Sequence, residues 1–291
     1  MKKIIVEDIK ASVKDGKKER IILLLNGKIE ISEGDVVGII GENGSGKTTF
    51  INCLLNEFPF KGKIISDFKR KEIGVQFQNN SLNDLMKVKE LIEIVLNCSI
   101  NSEKCKTLIE KFSLAGILNN RLNKLSGGEK QRLVLALVMF FDSKLFIFDE
   151  ITTGLDFEKR EDILLRIKHE TKGKTILIVT HYFTELENWA NKVLCLYRGK
   201  SLFFGEIETL FDSCPYKVFL HIKKEDFLLK NDYGSKLLKK DEFGNLFLGF
   251  NNEMLCNEFI KLNDLHEKDY KKSTISLENA YMYLTSGGQN A

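Results

Sequence analysis

Apolar and polar positions fall into two recurring patterns along the chain. Residues 4–9 and 21–25 are β-branched or aliphatic runs separated by the polar DGKKER, which predicts two strands around a turn. Residues 35–40, DVVGII, show no alternation, as expected for a strand buried on both faces. They run straight into GENGSGKTT, after which 48–55 read as a helix. From residue 79 to about 123 the spacing turns helical: Val88, Leu91, Ile92 and Val95 recur at helical intervals, and Leu108, Ile109 and Phe112 form a later stripe, so a helical insert is predicted. Alternation of helix and strand then returns, with helices over 129–141 and 157–171 and strands over 145–148, 175–180 and 193–197.

The last of these strands ends at the turn Arg198-Gly199-Lys200, and a boundary is expected near residues 212–215. Beyond it the pattern predicts strands over 218–222 and 246–250, a helix over 253–262 and a final helix over 276–284. Residues 223–241 combine helical spacing with many charges and are left unassigned. The chain therefore reads as an α/β domain over 1–212, with a helical insert at about 79–130, followed by a small α+β domain over 213–291.

Composition narrows the function classes. With 43% hydrophobic residues, 29% charged residues and 2 Pro, the chain is globular rather than disordered or fibrous. A net charge of +3 from 44 basic and 41 acidic residues, with no long block of one sign, gives no footprint for nucleic acid, and none is expected as a partner. The 6 cysteines form no CxxC pair and do not cluster with the 4 histidines, so they are read as reduced, mostly buried thiols. Charges at Glu7 and Asp8 interrupt the N-terminal apolar residues too early for a signal peptide. The longest strongly apolar run, 133–141, falls far short of the roughly 20 residues a spanning helix needs. Any membrane part is expected on another chain.

The stretch GENGSGKT fits GxxxxGK[ST], in which successive backbone N–H groups wrap phosphates at the start of a helix. Gly41, Gly44 and Gly46 let the backbone come close, and Asn43, Ser45 and Thr49 complete the loop. Lys47 is expected to reach the β and γ phosphates, and Thr48 to coordinate magnesium. Further on, LFIFDE is a hydrophobic strand ending in two carboxylates: Asp149 is the metal candidate, and Glu150 is placed to polarise a water. Taken alone, such a pair equally caps a following helix.

One combination is much more specific. GENGSGKT, Gln78 in GVQFQ, LSGGEKQR at residues 125–132, LFIFDE, the GLD of residues 154–156 and His181 in IVTHY resemble, in order and spacing, the nucleotide-binding domain of ABC transporters over residues 1–210. The resemblance implies a P-loop ATPase core with a helical subdomain, working with ATP and Mg2+. It implies that Ser126, Gly127 and Gly128 close over the γ-phosphate held by a second subunit, so that two chains sandwich each nucleotide. Ser126 also reads as an ordinary helix N-cap with Glu129 in the first turn, which is compatible with that role. By the same resemblance Gln78 senses magnesium and the attacking water, His181 bonds the γ-phosphate and orients Glu150, and Asp156 aligns the dimer.

Two positions depart from the family pattern. Val13 stands where an aromatic residue usually stacks on adenine, and Ile151 stands where Pro usually follows the Asp-Glu pair. Near the end, SLENAYMYLT resembles the segment that closes the accessory domain in the drug and peptide exporter branch, although a capped amphipathic helix alone would read the same way. The expected function is the ATPase subunit of a membrane exporter at the cytoplasmic face of the membrane. It would be peripheral, paired with itself or a related ATPase, and bound to a separate transmembrane permease. The alternatives are a soluble ABC ATPase acting on nucleic acid or ribosomes, and an importer ATPase.

Overall fold

The computed structural model describes residues 1–16, 18–77, 84–141, 143–153, 156–223, 231–240 and 244–287. These divide into two compact units, Met1–His181 with Arg198–Lys200, and Tyr182–Tyr197 with Ser201–Ala291. The expected boundary at 212–213 lies inside the second unit.

The first unit opens with β1 (Lys3–Asp15), β2 (Lys18–Leu24), β3 (Lys28–Ser32), β4 (Val36–Gly41) and α1 (Lys47–Leu54). It continues through β5 (Phe60–Ser66), β6 (Ile73–Gln76), α2 (Val88–Leu96), α3 (Glu103–Lys111) and α4 (Gly127–Phe140). β7 (Leu145–Asp149), α5 (Phe157–Glu170) and β8 (Thr175–Val179) complete it. Strand β1 pairs antiparallel with β2, β3 and β5, and is longer than its apolar run predicts. The reason is Asp8, which adopts a left-handed φ of 49° and shifts the register. Ile4 and Val6 are buried before it, Ile9 and Ala11 after it, so the alternation changes parity while the strand continues. Asp8 Oδ1 accepts from Gly27 N at 2.8 Å, which holds the irregularity in place.

Strands β4, β8, β7 and β6 lie side by side, all parallel. β7 and β8 are buried at every position, which explains their lack of alternation. Within this unit, β3, β5 and β6 go unread in the sequence. β6 is a mere four residues, IGVQ, and its Gly74 leaves room for Phe146, whose ring a Cβ there would approach to 3.0 Å.

The second unit holds α6 (Phe183–Glu187), β9 (Lys192–Tyr197), β10 (Lys200–Glu206) and α7 (Ile207–Ser213). After these come β11 (Val218–Ile222), β12 (Lys236–Lys240), β13 (Leu246–Phe250), α8 (Glu253–Leu262), β14 (Tyr270–Thr274) and α9 (Leu277–Thr285). The last four strands form an antiparallel sheet in the order β12-β13-β11-β14. Cys256 and Phe259 of α8 pack with Leu220, Leu248 and Phe250 on one face, while Met282 and Tyr283 of α9 pack with Phe219, Leu238 and Phe247 on the other. The unassigned stretch 223–241 thus supplies an edge strand, KLLKK, whose lysines suit an exposed edge.

Candidate nucleotide site

The phosphate-loop candidates gather where β4 ends. Gly44 and Gly46 have φ of 76° and 103°, left-handed values that favour glycine, and Gly46 is the N-cap of α1 without any side-chain cap. A Cβ on Gly46 would stand 3.0 Å from Leu23 Cδ1 and 3.2 Å from Ile22 O, so β2 is packed directly on the loop. The first-turn amides of α1 carry no acidic neighbour, which leaves the positive end of the helix for an anion. Lys47 is buried and its Nζ donates to Gly41 O at 2.8 Å and Glu42 O at 3.1 Å. Burial pulls its ammonium below the ordinary lysine range, against the opposing pull of Glu150 and Asp149. Asn43 is exposed in the loop, and Thr49 is half-buried in α1.

Thr48 and Asp149 meet: Thr48 Oγ1 donates to Asp149 Oδ2 at 3.0 Å. Asp149 is 1% exposed, and burial pushes its carboxyl above the usual carboxylate range, partly offset by the Thr48 hydrogen bond. Its Oδ1, like Ser45 Oγ, is buried with no hydrogen-bond partner among the described residues. A buried, orphaned carboxylate oxygen beside a hydroxyl is a hard-oxygen donor set that fits magnesium. Among the described residues no cluster of three or more His, Cys, Asp or Glu is suited to a metal.

Glu150 follows directly at the end of β7, half-buried, with a left-handed φ of 52°. Its N–H donates to Val179 O at 2.9 Å, and Thr153 Oγ1 donates to its Oε2 at 3.5 Å. Asp149 is in register with Val179 of β8, so Glu150 lies at the same strand end as Thr180 and the exposed His181. Lys47, Thr48, Asp149, Glu150 and His181 therefore share the carboxyl edge of one parallel sheet, the usual ligand crevice of such folds. Gln76, at the end of β6 beside Phe148, carries no motif signal in the sequence; it is buried with Oε1 unpartnered among the described residues. Gln78, with the Gly154 and Leu155 of GLD, lies outside the described residues.

Ser126 caps α4 in a reciprocal box: its Oγ accepts from Glu129 N at 3.3 Å, and Glu129 Oε2 accepts from Ser126 N at 2.8 Å. Ser126 and Gly127 are exposed. With Gly128 and Arg132, Ser126 borders a cavity of about 290 Å3 whose lining includes no phosphate-loop residue. Asp156 caps α5, with Oδ1 accepting from Lys159 N at 3.0 Å and the carboxylate paired with Lys159 Nζ. Val13 is 38% exposed on β1. Among the described residues no helix is long and apolar enough to cross a membrane.

The ABC transporter family matches residues 24–153. The arginine transport ATP-binding protein ArtM of Bacillus subtilis (strain 168) is 33% identical over 244 residues, covering 76% of this chain and 97% of ArtM. The Nod factor export ATP-binding protein I of Rhizobium etli is 34% identical over 198 residues, covering 62% of this chain and 63% of that protein. The dimeric structure of MJ0796, a bacterial ABC transporter cassette, superposes with a TM-score of 0.59 at 25% identity, covering 70% of this chain and 98% of MJ0796. The chain belongs to the ABC transporter family as an ATP-binding subunit, an ATPase cassette that works with ATP and Mg2+.

Proposed function

We propose that this chain powers export: it hydrolyses ATP at the cytoplasmic face of a membrane and drives efflux of a drug, peptide or similar amphipathic substrate through a separate transmembrane permease. The observation that carries the direction is the C-terminal helix. In SLENAYMYLT, Ser276 caps α9 by accepting from Asn279 N at 3.2 Å, Leu277 N donates to Glu187 Oε1 at 2.5 Å, and Tyr281 OH donates to Leu196 O at 2.9 Å. Two of these contacts tie α9 to Glu187 and Leu196, so the segment that resembles the exporter branch closes a unit that takes in Tyr182–Tyr197 together with residues 213–291, the proposed accessory domain. The Nod factor export protein supports the same direction. ArtM, matched over nearly its whole length, favours a second reading, an importer ATPase.

In either direction the chemistry is the same. Lys47 and the α1 amides bind the phosphates, and Thr48 and Asp149 hold magnesium, which when bound neutralises charge on the transferred phosphoryl group. Glu150 accepts the proton of the attacking water, His181 orients Glu150 and bonds the γ-phosphate, and Gln78 reports on the site. Ser126, Gly127 and Gly128 of a second subunit complete it, with Asp156 aligning the pair. Each site then draws on two chains, so mixing Lys47→Ala with Ser126→Arg chains leaves one intact site in every mixed dimer. ATPase activity of the mixture should exceed that of both parents; activity on the straight line between them would defeat the composite site. Direction is tested by deleting the chain in its host: loss of amphipathic dye efflux supports export, and loss of labelled arginine or methionine uptake with efflux intact overturns it.

A further inference from the structure

Two of the six cysteines lie together in the helical insert, where the turn between α2 and α3 brings Cys98 Sγ to 3.6 Å from Cys105 Sγ. The turn is pinned from both sides. Asn97 ends α2 with a left-handed φ of 50°, Cys98 N donates to Glu93 O at 3.2 Å, and Ile100 N donates to Glu93 Oε1 at 2.8 Å. On the other side Ser102 caps α3, its Oγ accepting from Cys105 N at 3.3 Å and donating to Cys98 Sγ at 3.2 Å. One hydroxyl thus joins both cysteines. The remaining four, Cys53, Cys195, Cys214 and Cys256, are buried, whereas Cys98 is half-buried and open to a small reagent.

We infer that Cys98 and Cys105 form a reversible dithiol–disulfide pair whose reaction partner is a low-molecular-weight disulfide of the glutathione class. Cys98, as its thiolate with the proton gone to solvent, attacks one sulfur of the small disulfide. The first small thiolate leaves and takes up a proton. The Cys105 sulfur then attacks Cys98 Sγ in the mixed disulfide, its proton going to the second departing thiolate. Two protein thiols are oxidised to one disulfide and one small disulfide is reduced to two thiols, so atoms and electrons balance. Cys105 is fully buried, and burial raises its thiol above the ordinary range, against the Ser102 bond, which suits it to resolving an adjacent mixed disulfide rather than to meeting the reagent first. The product ties the C-terminal end of α2 to the first turn of α3, and a small dithiol reverses it. The spacing C-x6-C is unlike the CxxC redox pattern, which is why the sequence alone gives no sign of it.

The test uses the full chain with oxidised glutathione as probe, followed by thiol counting under denaturing conditions and non-reducing peptide mapping. Accessible thiols should fall from six to four, with a single 98–105 link that dithiothreitol removes. Cys105→Ser should stop with glutathione retained on Cys98, and Cys98→Ser should keep all its thiols. A wild-type chain that keeps six thiols, retains glutathione on Cys98 without resolving it, or links any other pair overturns the inference, and that measurement needs no variant.

Discussion

Thr48 Oγ1 and Asp149 Oδ2, 101 residues apart in sequence, share a 3.0 Å hydrogen bond at the carboxyl edge of the parallel sheet. Asp149 is the more buried partner, and its raised pKa has a definite sign. A carboxyl whose folded pKa is raised above its ordinary 3.8 favours the folded state below that value, and this contribution is lost as pH rises through the folded pKa. Asp149→Asn should therefore melt higher than the wild type in metal-free buffer, by a margin that grows with pH through that window and then levels off. The same change should lower magnesium-dependent ATPase activity about a hundredfold or more, since a bound metal supplies several kcal/mol of transition-state stabilisation. A margin independent of pH would mean that Asp149 is not the group being relieved.

Glu150 has a left-handed φ of 52° without being glycine. Holding an L-residue there costs about 1–2 kcal/mol, while glycine loses roughly 0.4–1 kcal/mol through the freedom of its unfolded chain. Glu150→Gly should thus be as stable as the wild type or up to about 1.6 kcal/mol more stable, yet inactive. Glu150→Gln keeps the shape, loses the basicity, and should accumulate an ATP-bound dimer. Urea unfolding with an ATPase assay checks both; substantial hydrolysis by the Gln variant would remove Glu150 from proton transfer.

Gly46 and Gly127 both belong to Gly-rich motifs but stand in different surroundings. Gly46 combines a φ of 103° with a Cβ position 3.0 Å from Leu23 Cδ1, whereas Gly127 opens α4 with nothing within 4 Å. Gly46→Ala should destabilise the chain by about 1–3 kcal/mol, and Gly127→Ala should change stability by less than about 0.5 kcal/mol. Equal melting shifts in the two variants would contradict the close packing of the loop on β2.

Val13 is paired with Arg20 across β1 and β2, and a bulge between Ala11 and Ser12 separates that pair from Ala11 and Leu23. Alternation along β1 keeps Val13 on the face of Ala11, and the extra residue in β2 returns Arg20 to the face of Leu23, which touches the phosphate loop. With valine in place of a stacking ring, phosphate contacts dominate affinity, and GTP should bind within about tenfold of ATP, or about 1.4 kcal/mol. Val13→Tyr should tighten ATP binding by roughly 1–3 kcal/mol. Titration of both nucleotides decides the matter: a strong wild-type preference for ATP, with no gain from Tyr, would place the base elsewhere.

What could be read from sequence is what neighbouring residues enforce. The GENGSGKT loop and its helix, the Ser126–Glu129 cap, and strands such as β11 and β13 depend on local φ/ψ preference, capping and contiguous apolar runs, all written within a few residues. The motif order was enough to indicate the family. Tertiary structure alone decided the rest. Parallel strands buried on both faces carry no alternation to mark their register, so only packing brings Asp149 against Thr48 and sets Glu150 beside Val179. β1 extends past its apolar run because a long-range contact, Gly27 N to Asp8, holds a bulge that the pattern alone reads as an end. Cys98 and Cys105 meet because a left-handed residue reverses the chain between two helices, and that reversal is fixed by hydrogen bonds rather than by any spacing of the cysteines.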